Sequence, residues 1–171
     1  MKELKTIPTL RFVDALNAAT SKVFQFEGRS RRSEYWWMQL TVLLVTIIVP
    51  QIGAVLSLLL IPLTFRRLHD TGRSGWWWGA YALAQIGVVV LFVCDMMVVM
   101  PHLNEGNFNM FELVFVFFAK WFIYIIFVLV FMAVLLVFLF IDSVACPNKY
   151  GGSTQYVVGV GGEVFKQIKG L

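Results

Sequence analysis

Arginine and carboxylate side chains cluster in two short stretches, and these residues have the clearest capacity for chemistry. The first stretch is GRSRRSEYWW, residues 28–37, and the second is RRLHDTGRSGWWW, residues 66–78. Both contain the triplet Gly-Arg-Ser. A guanidinium group donates paired hydrogen bonds to carboxylate or phosphate and keeps its charge in a low-dielectric setting. The pattern therefore predicts contact with anions or a network of ion pairs.

The candidate binding or network residues all come from these two stretches. They are Arg29, Arg32, Glu34, Arg66, Arg67, His69, Asp70 and Arg73. Arg66 and Arg67 precede Asp70 by four and three positions, so either could pair with it along one helix. Two interpretations stay open: arginines that orient the protein and touch lipid phosphate without specificity, or a preformed network that binds a specific phosphate or carboxylate group.

Catalytic and metal-binding arrangements are not predicted. The sequence has no carboxylate cluster, no HExxH and no Ser-His-Asp arrangement that can be argued from spacing. Cys94 and Cys146 lie far apart without a CxxC motif, so neither a disulfide framework nor a zinc site is expected. We therefore predict a protein that is not an enzyme, with no catalytic residue, no metal and no cofactor.

Membrane helices must position these residues, because 59% of the 171 residues are hydrophobic and only 14% are charged. A helix needs about 20 apolar residues to cross a bilayer, and regions 76–100 and 113–141 each suffice for one span. Residues 1–34 are mixed polar and charged, so we expect no cleavable signal peptide there. The predicted fold class is an all-α membrane protein, a polytopic bundle of about four transmembrane or re-entrant helices.

The first apolar region, residues 35–65, is long for one span and short for two. Pro50, Gln51 and Gly53 in its middle predict a kink or a tight turn. A single crossing would separate the arginines of residues 29–32 from those of residues 66–73, which the positive-inside bias disfavours. We therefore predict a hairpin, either of two crossing helices or of a re-entrant pair.

The same bias orients the remaining chain. Loop 101–112 carries two acids and no lysine or arginine, so we expect it outside and both termini in the cytoplasm. Four tryptophans at helix starts are predicted anchors at the headgroup level, namely Trp36, Trp37, Trp76 and Trp77. Asp95 and Lys120 are predicted to form an ion pair near the outer interface, with a proton or ion relay as the less favoured alternative.

The two ends of the chain are predicted to lie outside the bilayer core. Residues 9–26 place Phe12, Leu16, Ala19, Val23 and Phe26 on one face of an amphipathic helix, which either lies along the membrane surface or packs on the protein. The predicted divisions are an N-terminal cytoplasmic segment, residues 1–34; a membrane domain, residues 35–145; and a flexible cytoplasmic tail, residues 146–171.

Three motifs together resemble a known family. They are F-x-GR-x-x-R-x-E-Y-W at residues 26–36, RRLHDTGRSGWW at residues 66–77 and N-K-Y-G at residues 148–151. This combination is similar to the bacterial integral-membrane family called domain of unknown function 805. The resemblance covers most of residues 10–152. It implies a small, multi-pass inner-membrane protein with no established biochemical activity.

The favoured function is that of a non-enzymatic membrane component. Its cytoplasmic arginine and aromatic face would contact anionic lipid headgroups or a protein partner, and a homo-oligomer is also open. Two alternatives are a small transporter or channel subunit, and an enzyme that modifies lipid headgroups. The excess of basic residues gives a net charge of +4, which we assign to membrane orientation and lipid contact rather than to nucleic acid.

Overall fold

The computed structural model describes residues 3–104 and 110–159. The chain divides into two compact units, the first formed by Met1–Gly75 with Phe138–Leu171 and the second by Trp76–Val137. Within the described residues the structure is helical apart from one short two-stranded ribbon.

Four helices lie in the N-terminal part of the first unit. They are α1 (Phe12–Thr20), α2 (Arg32–Ile48), α3 (Pro50–Ser57) and α4 (Leu60–Asp70). Helix α2 packs against the other three. Its buried residues Tyr35, Met38 and Val42 recur at helical spacing, as expected for the inward face of a packed helix.

The predicted turn near Pro50 is a junction between α2 and α3. The Val49 N–H donates to the Val45 carbonyl at 2.7 Å and so closes α2, and Pro50 opens α3 at the position where a missing N–H is tolerated. Gly53 is buried, and a Cβ at this position would overlap the backbone of Thr46. The return limb is bent by 44° between α3 and α4, so the predicted hairpin consists of three helices rather than two.

The second unit consists of two long apolar helices. Helix α5 spans Trp76–Asn104, and α6 spans Met110–Phe140 and ends within the first unit. Both contain a segment apolar enough to cross a membrane, Trp76–Pro101 and Phe117–Phe140, in agreement with the predicted spans 76–100 and 113–141. The bent pair α3–α4 raises the number of candidate spans to three if it is counted as one. Residues 105–109 of the predicted outer loop lie outside the described part.

A short antiparallel ribbon joins the two ends of the first unit. Strand β1 (Glu3–Thr6) pairs with β2 (Tyr156–Gly159), with Glu3 opposite Gly159 and Thr6 opposite Tyr156. The prediction of an all-helical chain omitted this ribbon. The predicted flexible tail, residues 146–171, includes residues 156–159, whose backbone is hydrogen bonded to the N-terminal strand. Residues 160–171 lie outside the described part.

Helix α1 is shorter than the predicted amphipathic helix. It ends at Thr20, so Val23 and Phe26 follow the helix instead of extending its apolar face. Thr20 Oγ1 donates to the Leu16 carbonyl at 2.8 Å and Ser21 Oγ to the Ala18 carbonyl at 3.1 Å. Such local side-chain bonds compete with the helical hydrogen bonds. The buried residues of α1 are Ala15 and Ala19, while Phe12 is 43% exposed.

Candidate functional site

The two arginine-rich stretches meet in the first unit. Residues 28–31 lead into α2, residues 66–70 form the end of α4, and the Ser30 N–H donates to the Arg66 carbonyl at 3.1 Å. We call the buried charged residues of this meeting point the arginine cluster; its members are Arg29, Glu34, Arg66, Arg67 and Asp70. Because both ends of the region 35–65 reach this cluster, that region begins and ends at the same place.

Asp70 is the centre of the arginine cluster and is fully buried. Its Oδ1 accepts hydrogen bonds from Arg29 Nε and Thr154 Oγ1, each at 2.8 Å. Its Oδ2 accepts from Arg67 Nη1 at 2.6 Å and from Ser143 Oγ. Two donors on each oxygen fill the acceptor capacity of a carboxylate. Asp70 therefore serves as a structural acceptor in this arrangement, with no free oxygen for a metal or a substrate proton.

Arg29 links Asp70 to the segment that follows α6. Besides its bond to the carboxylate, Arg29 Nη2 donates to the Val144 carbonyl at 2.6 Å and to the Asp70 carbonyl at 3.2 Å. Its Nη1 donates to the carbonyls of Cys146 at 3.2 Å and Gly151 at 3.4 Å. The guanidinium is thus surrounded by acceptors from three parts of the chain.

Arg67 caps the C-terminal end of α6. Arg67 Nε donates to the Leu139 carbonyl at 3.2 Å, and Nη2 donates to the Ile141 carbonyl. The last carbonyls of a helix have no partner within the helix and carry the negative end of its dipole. A buried cation at this point therefore satisfies those carbonyls and fixes the end of the last helix to α4.

Arg66 and Glu34 form a second buried pair. Arg66 Nη1 lies 3.3 Å from Glu34 Oε1, and the two side chains are 2% and 8% exposed. The guanidinium nitrogens of Arg66, Glu34 Oε1 and the buried Ser30 Oγ have no hydrogen-bond partner among the described residues. This half of the cluster is therefore much less saturated than the half around Asp70.

The N-K-Y-G motif packs on His69. The rings of His69 and Tyr150 stack at 3.7 Å with an interplanar angle of 7°, and Asn148 Nδ2 donates to the His69 carbonyl at 2.9 Å. On the other side, His69 Nδ1 lies 3.3 Å from the Gly28 carbonyl oxygen. His69 consequently joins all three sequence motifs as a packing residue.

The other predicted arginines lie at the edge of the cluster. Arg32 Nη1 is 2.5 Å from Asp142 Oδ1, in a pair whose side chains are 42% and 58% exposed. The Arg73 guanidinium lies 4.0 Å from the centre of the Phe138 ring, a cation–π contact. Partial burial lowers the pKa of the half-buried Arg31, while the nearby Glu34 and Asp70 carboxylates act in the opposite direction.

The repeated Gly-Arg-Ser triplet has one shared feature. Gly28 and Gly72 both have positive φ, 90° and 76°, a conformation that glycine adopts without steric penalty. The arginines that follow have different surroundings, since Arg29 is buried against Asp70 and Arg73 packs on an aromatic ring. The repetition therefore reflects two similar turns, each ahead of a helix.

The predicted anchors and the predicted ion pair divide between the two units. Trp36 stacks on Phe140 at 4.3 Å and Trp37 meets Phe12 edge-on at 5.4 Å, all within the first unit. In the second unit, Trp76 is 74% and Trp77 42% exposed. Lys120 Nζ lies 2.6 Å from Asp95 Oδ1 in that same unit. Their positions relative to a bilayer remain predictions.

Sequence reasoning missed the contribution of residues 143–154. Ser143 and Thr154 donate to Asp70, and carbonyls of this segment accept from Arg29. The predicted divisions put this segment at the end of the membrane domain and in the flexible tail, because the chain after residue 141 is polar and rich in glycine. Its N-K-Y-G motif was the available signal. In the part of the chain that the structure covers, no group of three or more His, Cys, Asp or Glu residues could hold a metal ion.

Comparisons with known proteins place this chain in a family. The family model described as "Protein of unknown function (DUF805)" matches residues 47–109. Inner membrane protein YhaH of Escherichia coli (strain K12) is 31% identical over 91 residues, which cover 41% of this chain and 75% of that protein. Inner membrane protein YhaI of the same strain is 37% identical over 83 residues, 40% of this chain and 70% of that protein. No solved structure matches. The chain therefore belongs to the DUF805 family of membrane proteins of unknown function.

Proposed function

We propose that this DUF805 protein is a non-enzymatic inner-membrane component whose cytoplasmic face contacts anionic lipid headgroups. The observation that carries the proposal is the exposed segment around α1. Phe24 is 91% and Val13 63% exposed, and the cations Arg11 and Lys22 beside them are also exposed. Exposed aromatic and basic residues in one short segment are typical of elements that lie at a membrane interface.

The buried arginine cluster is not itself the surface that we propose to contact headgroups. Arg29 and Arg67 donate to Asp70 and to main-chain carbonyls, so their charges are engaged within the protein. The cations Arg11 and Lys22 are better placed for headgroup phosphates, because both residues are exposed. Arg32 is partly neutralised by Asp142.

The arrangement supports a topology with both termini in the cytoplasm. Strands β1 and β2 pair the two ends of the described chain, and this pairing supports a topology in which those ends share one side of a membrane. Arg73 and Phe138, which flank the second unit in sequence, are also in contact, and this contact supports an even number of membrane crossings by the residues between them. The positive-inside bias assigns the shared side to the cytoplasm.

The hairpin α2–α4 fits a re-entrant element that does not reach the opposite surface. Helix α2 has 17 residues, about 25 Å at 1.5 Å per residue, against about 30 Å for a hydrocarbon core. The tip around the α2–α3 junction exposes apolar side chains, with Ile47 70%, Ile48 77% and Ile52 53% exposed. The Val49 and Gly53 N–H groups are hydrogen bonded to carbonyls of the preceding turn, as a chain turning within hydrocarbon requires.

Lipid analysis of the purified protein tests the headgroup proposal. The full chain is extracted in mild detergent, and the ratio of anionic to zwitterionic phospholipid that co-purifies is measured by mass spectrometry. We expect the ratio to fall in the double variant Arg11→Gln, Lys22→Gln and to stay at the wild-type value in the matched double variant Asn17→Gln, Gln25→Asn. Equal ratios in wild type and in both double variants would contradict headgroup contact through this segment.

A further inference from the structure

The arginine cluster has two halves that differ in how well their polar groups are paired. Around Asp70, four hydrogen-bond donors fill the acceptor capacity of the carboxylate. Around Arg66, no guanidinium nitrogen has a hydrogen-bond partner in the described part of the chain, and neither has Glu34 Oε1 or Ser30 Oγ. Solvent reaches none of these atoms. The Arg66 half is therefore closed by packing, without hydrogen bonds between its side chains.

Closing the Arg66 half carries a free-energy penalty that closing the Asp70 half does not. A buried polar group that gives up its hydrogen bonds to water and gains none in the protein is unfavourable, and a charged group more so. The attraction between Arg66 Nη1 and Glu34 Oε1, 3.3 Å apart, offsets part of this penalty. Even so, a buried ion pair without further hydrogen bonds is often less stable than apolar side chains of similar volume. The Arg66 half is thus the part of the cluster that gains most from contact with water.

The two halves also belong to different contacts between segments. Ser30 lies just before α2, Glu34 lies in its first turn and Arg66 lies near the end of α4, so the unpaired half is a contact between the start of α2 and α4. Asp70 instead binds Arg29 and the segment after α6. The first turn of α2 can therefore move away from α4 by a change of backbone direction after Arg29, while the hydrogen bonds of Asp70 stay intact.

We propose that the hairpin opens at its charged end, with the first turn of α2 separating from α4 around Arg66 while the hydrogen bonds of Asp70 remain closed. In the open form, water solvates the Arg66 guanidinium, the Glu34 carboxylate and the Ser30 hydroxyl. The closed form hides these groups and the open form presents them to solvent, so the hairpin is a conformational device with two forms. The inference is independent of the headgroup proposal, because no lipid takes part in it.

Two backbone hydrogen bonds of equal length report on the two halves separately. The Ser30 N–H donates to the Arg66 carbonyl and the Val144 N–H donates to the Asp70 carbonyl, each at 3.1 Å. Amide hydrogen exchange of the full chain in detergent, resolved to single residues by electron-transfer fragmentation and corrected for intrinsic rates, measures how often each bond opens. We expect the Ser30 amide to exchange about tenfold faster than the Val144 amide, although Ser30 is 0% and Val144 38% exposed. Exchange at Ser30 that is as slow as at Val144, or slower, would refute the opening.

Two serine variants separate the effect of an unpaired hydroxyl from an ordinary loss of packing. Ser30→Ala removes a buried hydroxyl without a partner in the described chain, so we expect the amide of residue 30 to exchange about threefold more slowly than in wild type. Ser143→Ala removes a buried hydroxyl that donates to Asp70, so the amide of Val144 should exchange faster than in wild type. Unchanged or faster exchange at residue 30 in Ser30→Ala would overturn the proposal.

An apolar replacement tests the charged pair. In the double variant Glu34→Met, Arg66→Met, two unbranched apolar side chains take the place of the buried charges, and we expect the amide of residue 30 to exchange about tenfold more slowly than in wild type. Glu34→Gln alone leaves Arg66 without its counter-charge and should speed this exchange. A double variant that exchanges as fast as wild type, or faster, would show that the buried charges do not drive the opening. Should the double variant fail to fold, the comparison of Ser30→Ala with Ser143→Ala decides.

Discussion

Arg67 and Asp70 stand one turn apart on α4, with Arg67 Nη1 2.6 Å from Asp70 Oδ2, and neither side chain is exposed to solvent. The same carboxylate also receives Arg29, Ser143 and Thr154. Asp70 thus accepts hydrogen bonds from residues before α2 and from residues after α6. The R-R-L-H-D sequence therefore holds together α4, the segment before α2 and the segment after α6.

Replacing Asp70 by Asn tests whether this carboxylate holds the three segments together. The variant keeps the shape of the side chain but leaves two buried guanidinium groups without a counter-charge, so we expect a loss of about 3–5 kcal/mol in the free energy of unfolding. The measurement is the melting temperature of the purified protein in detergent. The matched variant Asp142→Asn breaks an exposed pair and should lose only about 0–1 kcal/mol. Equal melting temperatures for the two variants would contradict the prediction.

Tyr150 should hold the segment after α6 in place through its stacking on His69. In Tyr150→Ala the ring contact at 3.7 Å is lost, and we expect residues 143–154 to become more susceptible to limited proteolysis. Tyr150→Phe preserves the ring and should be cleaved as slowly as wild type. If Tyr150→Phe and Tyr150→Ala are cleaved at the same rate, the stacking does not hold the segment.

Much of this architecture could be predicted from the sequence. The hairpin around Pro50 and the two later spans followed from apolar length and from the grouping of arginines. The saturation of Asp70 could not be predicted, because its partners Ser143 and Thr154 are small polar residues far away in sequence. The break between α3 and α4, by contrast, has a signal that the prediction did not use. Pro62 cannot donate to the Leu58 carbonyl, and its ring would clash with that carbonyl in a continuous helix, so the helix is interrupted at residues 58 and 59.

Which arginines are buried and which are exposed could not be predicted from the sequence either. Arg29, Arg32 and Arg73 occur in similar local contexts, yet Arg29 is buried against Asp70, Arg32 pairs with an exposed acid and Arg73 packs on Phe138. The surroundings of each arginine depend on where the end of α6 and the segment after it pack. Long-range contacts of this kind leave no periodic pattern in the chain.

Gly53 should be required for the close approach of α2 and α3. A Cβ at this position would overlap the Thr46 backbone, so we expect Gly53→Ala to destabilise the protein by about 1–3 kcal/mol through overpacking. Gly87 in α5 has nothing within 4 Å of a built Cβ, and Gly87→Ala serves as the control. Thermal unfolding in detergent compares the two. A Gly53→Ala protein as stable as Gly87→Ala would show that the junction tolerates a side chain.

The pair Asp95–Lys120 should contribute through charge neutralisation within the second unit. Lys120→Ala leaves the Asp95 carboxylate without the cation 2.6 Å away, and an unpaired charge on a membrane helix is unfavourable. We expect Lys120→Ala to lower the melting temperature and the added change Asp95→Asn to restore part of the loss. If Asp95→Asn lowers the melting temperature of Lys120→Ala further, Asp95 has a stabilising partner other than Lys120.

The most direct test concerns the side of the membrane on which the arginine cluster lies. Gln25 and Lys149 are exposed and flank the cluster from the two ends of the chain, so each is replaced by cysteine in a background with Cys94 and Cys146 changed to serine. An impermeant maleimide is applied to intact cells and to inverted vesicles. We expect both cysteines to react only in inverted vesicles. Reaction of either one in intact cells would contradict a single cytoplasmic cluster.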